Sequence, residues 1–290
     1  MDVEVIEKYR KAGKILAEVR TEAVKKVKPG VPLLEVAEFV EALIKERGGV
    51  PAFPCNISRN DEAAHSTPSA NDATVFDEDM VKLDIGVHVD GYIADTAITV
   101  DLSENPELVK ASEAALKNAI EIVHAGTSTA EIGDVIEKTI NEFDYKPVAN
   151  LTGHGLDRYV QHAAPSIPNR HVEQGVILKA GDVIAIEPFA TNGAGHVHES
   201  GTAEIYRVER LKPVRLPAAR QLLKEIEKYK MLPFAKRWLH HARLDFTLNK
   251  LEAMGILRSY PVLREDSGGL ISQAEHTVIV EEGGCQIISR

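Results

Sequence analysis

Apolar and polar positions alternate along Val81-Lys-Leu-Asp-Ile-Gly-Val-His-Val89 and again along Tyr92-Ile-Ala-Asp-Thr-Ala-Ile-Thr-Val100, with Asp90-Gly91 between them. This period of two around an Asp-Gly pair predicts a β-hairpin with a two-residue type I′ turn, because both central positions require φ > 0. The turn sets the register: Val89 faces Tyr92, and Gly86 faces Asp95. Asp84 lies two residues before Gly86, on the same face as Asp95. The two carboxylates are then diagonal neighbours with backbones about 7–8 Å apart. Leu83, Ile85, Val87 and Val89 occupy the other face, toward a core. Converging carboxylates repel unless cations lie between them, whereas separately solvated ones do not. The hairpin alone leaves both readings open.

The chain also repeats itself. Gly30 to Ile44 (GVPLLEVAEFVEALI) aligns with Gly126 to Ile140 (GTSTAEIGDVIEKTI), and the same offset carries Pro51 onto Pro147. Both segments read as amphipathic helices entered from a glycine turn. Further on, Asp79-Met-Val-Lys-Leu-Asp84 matches Asp182-Val-Ile-Ala-Ile-Glu187, each ending in an acid. A long helix is expected before each half, near residues 6–27 and 106–124. Two related α/β halves follow, with Asp84 and Glu187 on either side of a shared cleft. Residues 206–262 break the pattern with helical segments at Pro217–Tyr229, Phe234–His241 and Thr247–Met254. Strand patterns return at Thr277–Val280 and Gln286–Ile288. The expected organisation is a catalytic domain formed by 1–205 and 263–290, with 206–262 a helical, winged-helix-like insertion.

Composition narrows the class without identifying it. The 290 residues are 44% hydrophobic and 27% charged, with a formal net charge of -10, which disfavours a nucleic-acid role. No apolar run approaches the roughly 18 residues needed to span a bilayer. The amino terminus lacks the pattern of a signal peptide. Cys55 and Cys285 are too few for a disulfide framework, and neither lies in a Cys/His cluster. A cytoplasmic location is expected.

Besides the aspartates, several polar residues sit in apolar or Gly/Pro settings. His154 lies between glycines in Thr-Gly-His-Gly; Glu187 ends an apolar strand just before Pro188; Glu275 opens the strand Glu-His-Thr-Val-Ile-Val. His65 and His162 lie near these in sequence. Other histidines are weaker candidates. His196-Val-His198 has the spacing of a strand-borne metal pair but sits in a Gly-rich loop, His240-His241 lies in the charged helical block, and His88 shares its face with Asp84. Gly193-Ala-Gly195 lacks the strand–helix setting of a phosphate loop.

The segments KLDIGVHVDGYIADTA, TGH, IEPFAT and QAEHT together resemble the five-ligand signature of methionine aminopeptidases of the pita-bread fold. The helical block before the last glutamate resembles the type 2 class, in its archaeal form. That resemblance implies two divalent ions (Co, Mn, Fe or Zn) held by Asp84, Asp95, His154, Glu187 and Glu275, with Asp95 and Glu275 bridging. It implies Glu187 as general base, His65 and His162 on the scissile peptide, and Phe53, Phe189 and Tyr260 around the methionine side chain. The implied substrate is the N-terminal methionine of nascent polypeptides when the second residue is small. A monomer in transient contact with the ribosome is expected, with no membrane or nucleic-acid partner. Gln161 and Ala274 depart from residues common in the class. Competing readings are a Pro-specific aminopeptidase or prolidase, and a non-catalytic pita-bread protein that binds ribosomes or RNA.

Overall fold

In a computed structural model of the chain, which describes residues 1–290, each half opens with a helix pair laid on an antiparallel sheet. The first half comprises α1 (Val3–Val24), α2 (Leu33–Glu46), β1 (Val50–Pro51), β2 (Asn56–Arg59), β3 (Glu62–Ala64), β4 (Met80–Val89) and β5 (Tyr92–Asp101). The helix α1 begins earlier than its periodicity suggests, because Asp2 caps it by accepting from the Glu4 amide at 3.0 Å. The second half comprises α3 (Pro106–Ile122), α4 (Thr129–Glu142), β6 (Lys146–Pro147), β7 (Thr152–Asp157), β8 (Val160–Pro168), β9 (Val183–Ile186) and β10 (Phe189–Thr191).

The sequence repeat holds at the level of register. Gly30 and Gly126, the first residues of the two repeated segments, both have positive φ, as an entering turn requires. Pro51 pairs with Val87 and Pro147 with Ala190, each the third residue after the strand's acid, Asp84 or Glu187. The hairpin register is as expected, with Val89 opposite Tyr92 and Gly86 opposite Asp95. Leu83, Ile85 and Val87 are buried against α1 and α2, while Val89 is only partly covered. A second core lies between α3, α4 and the sheet carrying β9.

Past the second half the chain continues as β11 (Val197–Val208), α5 (Pro217–Ile226), β12 (Phe234–Ala235), α6 (Leu244–Ala253) and β13 (Leu257–Glu265). The segment expected as a helix over Phe234–His241 is instead a short strand on β11 followed by a 3₁₀ turn. Pro233 favours the extended entry, and pairing Phe234 with Tyr206 stacks their rings 6.4 Å apart. This block has its own core, built on Leu222, Ile226, Phe234 and Leu248. It joins the rest through β13, which pairs with β3, and through Arg237 and Trp238, which bind Glu41 of α2.

Finally β14 (Ile271–Gln273), β15 (His276–Glu281) and β16 (Gly284–Ile287) return to the second half, where β15 pairs with β9. The seam between halves is tied by buried threonines. The Thr277 hydroxyl accepts from the Asp95 amide at 2.7 Å and donates to the Asp95 carbonyl at 2.8 Å. Thr96 donates to the Glu275 carbonyl at 2.8 Å, and Thr99 exchanges two bonds with Gln273. Where β5 meets the 273–277 segment, these hydroxyls take the place of much of a backbone ladder.

Candidate metal centre

Five side chains from five positions in the chain converge on one cavity of about 50 Å³: Asp84, Asp95, His154, Glu187 and Glu275. Asp84 projects from β4 and Asp95 from β5, on the shared face that their hairpin register requires. A Cβ at Gly86, between them, would meet the Phe53 ring at 2.2 Å, so glycine there admits Phe53 as the floor beneath the two acids. His154 stands in β7 between two glycines that bring backbone very close: a Cβ at Gly153 would lie 2.3 Å from the Ala185 carbonyl oxygen, and one at Gly155 2.1 Å from that of Ala164. Glu187 occupies the break between β9 and β10 made by Pro188, and Glu275 the break between β14 and β15. The Glu275 backbone is held there by β5, its amide donating to the Ala97 carbonyl at 3.0 Å and its carbonyl accepting from Thr96.

Ligand atoms of Asp95, His154 and Glu275 all lie within 4.8 Å of one another. His154 Nε2 is 3.4 Å from Glu187 Oε1 and 3.9 Å from Asp95 Oδ2. The other ring nitrogen, Nδ1, is 3.2 Å from the Gly155 carbonyl, which orients the ring with Nε2 toward the carboxylates. Asn56 donates to Asp84 Oδ2 at 3.2 Å and Gln273 to Glu187 Oε2 at 3.4 Å, leaving Asp84 Oδ1 and Asp95 Oδ1 buried without a partner.

No lysine or arginine lines this cavity. Burial therefore pushes all four carboxyls up, Asp84 to about 7 and the other three well above the carboxylate range. Mutual repulsion adds to the rise for Asp95, Glu187 and Glu275. Burial holds His154 down to about 4, so its ring is neutral at pH 7 and a lone pair is free to coordinate. Four acids and one imidazole, two of the acids with orphaned oxygens, fit hard or borderline divalent cations and present no thiolate.

His65 and His162 line the same cavity. His65 follows β3 with φ at 64°, a left-handed backbone uncommon outside glycine, which turns its ring inward against Tyr260 at 5.1 Å between centroids. His162 packs edge-on to His154 at 4.6 Å. By surface area His162 is exposed, yet the walls of a narrow cleft surround it. Such a cleft admits water while poorly solvating a charge, so the imidazole is held well below its ordinary range, and His65 to about 4. Phe53 and Tyr260 line the cavity, whereas the buried Phe189 lines an adjoining hollow.

A family model described as metallopeptidase family M24 matches residues 7–246. The chain belongs to metallopeptidase family M24. The chain is 57% identical over 292 positions to a protein of Archaeoglobus fulgidus named methionine aminopeptidase, covering all of both. It is 49% identical, again over all of both chains, to one so named from Methanocaldococcus jannaschii. Among solved structures, a thermophilic Arx1 superposes with a TM-score of 0.87 at 19% identity, covering 99% of this chain and 91% of that one. A methionine aminopeptidase from Thermotoga maritima superposes at 0.75 and 22%, covering 100% and 98%. The expected mixed α/β pita-bread architecture is thus the M24 fold.

Against that M24 frame, sequence reasoning missed Asn56 and Gln273. They lie far from the acids they support in sequence, and only the β2–β4 and β10–β14 pairings bring them in. Gln161 does face the cavity, beside Asp95, whose raised pKa its amide opposes. Ala274 does not. The chain is extended there, so Gln273 and Glu275 point to the cavity and Ala274 packs into the second core. His88 shares the face of Asp84 but lies at the hairpin tip, where its Nδ1 accepts from the Gly91 amide at 3.1 Å. His196 and His198 both approach Asp266 on the surface, away from the cavity.

Proposed function

We propose that this chain is a methionine aminopeptidase, removing the N-terminal methionine of nascent polypeptides when the second residue is small. The convergence of Asp84, Asp95, His154, Glu187 and Glu275 on one cavity carries this reading, supported by relatives of that name at full-length identity up to 57%. In it the five would hold two divalent cations, Co, Mn, Fe or Zn, with Asp95 and Glu275 contributed from the seam between halves.

Bound there, such ions supply Lewis acidity, polarising a carbonyl and lowering the pKa of a water. The remaining work falls to the chain. Glu187, at the cavity edge with Gln273 on its other oxygen, takes the proton of the attacking water and returns it to the leaving amine. His65 and His162, neutral at pH 7, donate N–H bonds to the oxygen of the tetrahedral centre without placing a second charge beside the cations. Phe53, Phe189 and Tyr260 give the methionine thioether apolar and aromatic contacts. We read residues 206–262 as an insertion roofing this pocket, since Pro233 lines the cavity. In this reading the protein acts as a cytoplasmic monomer visiting the ribosome.

The test is release of methionine from Met-Ala-Ser by metal-stripped protein, with and without Mn(II) or Co(II), with Ala-Pro as contrast. Metal-dependent cleavage of the Met peptide alone supports the reading. Cleavage of Ala-Pro instead moves the chain to the prolidases. No cleavage of either, with metal bound, makes it a binding protein.

A further inference from the structure

The metal cavity opens into a hollow of about 610 Å³, and the two share His65, His154, His162 and Tyr260 among their walls. One wall is the β11–β13 ladder. Ile205 pairs with Tyr260, and this pair lines the metal cavity. Two residues along, on the same face, Arg207 pairs with Arg258 and lines the hollow. Like charges directly opposite on neighbouring strands repel, so a sheet gains nothing from this pair by itself. Arg207 has one exposed partner, Glu209, with nitrogen to oxygen at 2.7 Å. Arg258 has no hydrogen bond or ion pair and lies only over the Tyr260 ring, 5.6 Å from its centroid. Of the side chains lining the hollow, Glu187 and Glu199 alone are acidic.

We infer that Arg207 and Arg258 form a carboxylate-binding subsite for the part of the substrate beyond the scissile bond, so that the enzyme favours acidic residues there. This rests on the aminopeptidase reading. The distance suits it: two strand residues are about 7 Å, roughly the reach of two residues of extended peptide. A substrate whose first side chain lies at Tyr260 and whose peptide bond faces His162 then brings its third or fourth residue to the arginines. A guanidinium matches a carboxylate in a two-pronged geometry that an amide cannot reproduce with the same strength. The carboxylate has two sources, an Asp or Glu side chain or the free end of a short peptide.

Steady-state kinetics of the Mn(II)-loaded protein on C-terminally amidated Met-Ala-Asp-Gly and Met-Ala-Asn-Gly separate the side-chain source. Free-acid Met-Ala-Ser against its amide separates the chain end. The expected result is a preference of about three- to tenfold for the carboxylate member of at least one pair, carried mainly by KM. Preference in the first pair assigns a side-chain subsite, and in the second alone a chain-end subsite. In Arg258→Gln the ratio falls toward one, and in Arg258→Glu it inverts. Arg258 is exposed and opposes a like charge, so both variants should melt no lower than the parent, and a thermal melt of each separates loss of preference from loss of fold. Ratios near one in the parent protein, or a preference untouched by Arg258→Glu, overturn the subsite. If no Met peptide is cleaved, the aminopeptidase reading itself has failed, and the subsite with it.

Discussion

Replacing Asp84 by Asn should stabilise the metal-free protein, although it removes a proposed ligand. Burial raises Asp84 from 3.8 in the unfolded chain to about 7 in the folded one. For an acid raised on folding, stability is fully present below the unfolded pKa and is lost as pH rises toward the folded one. Each unit is about 1.36 kcal/mol, so at pH 8 the ionisable side chain costs up to about 4 kcal/mol relative to a neutral isostere. At pH 4.5, less than one unit above the unfolded pKa, the cost falls to about 1 kcal/mol. The carbonyl of the introduced amide can keep the bond from Asn56, so little else changes. At roughly 2–4 °C per kcal/mol, Tm of the stripped variant should exceed that of the stripped parent by about 8–16 °C at pH 8, and by a few degrees at pH 4.5. Comparing variant with parent at each pH cancels the titration of the buried histidines, which runs in the opposite direction. Added Mn(II) should shrink or reverse the gap, since the variant binds it less tightly. Equal melting of the stripped proteins at pH 8, or a gap as large at pH 4.5, refutes the argument.

Arg237→Met should destabilise by about 3–5 kcal/mol in urea unfolding, because it strands Glu41; pairing it with Glu41→Gln should recover most of the loss. That arginine, 3% exposed, binds Glu41 and also donates to Thr67 at 2.7 Å and the Pro68 carbonyl at 3.0 Å, just beyond His65. Gly86→Ala should push Phe53 into the cavity, costing about 1–3 kcal/mol and raising KM for methionyl peptides more than it lowers kcat; an unchanged KM would mean that Phe53 is no wall of the pocket. His162→Ala should lower kcat about 100-fold or more with metal content intact; loss of metal on elemental analysis would instead make His162 a ligand.

What could be read from the chain depended on how far apart the interacting residues lie. The hairpin register followed from a two-residue turn and a period of two, so the shared face of Asp84 and Asp95 was legible without any fold, whereas their convergence on one cavity was not. The pairing of Asp84 with Glu187 followed from the repeat. Glu275 and the two histidines could be assigned only by resemblance, because their approach depends on pairings across much of the chain, such as Thr277 with Asp95. The Phe234–His241 segment misled because its apolar spacing suits either element, and the edge of β11 decided the matter. The Arg237–Glu41 pair left no local signal, since each residue alone reads as a solvated charge on an amphipathic surface.

The threonine seam has a consequence for how the protein comes apart. A cut in the turn between β5 and α3 would leave Asp84 and Asp95 on one fragment and His154, Glu187 and Glu275 on the other. Neither fragment holds the complete set of five, so neither should chelate as the whole chain does. Mixing them would restore the set only if Thr96, Thr99 and Thr277 find their partners again. Metal uptake would then serve as a gauge of docking between the halves, and a cation in the centre would act as a rivet through the joint.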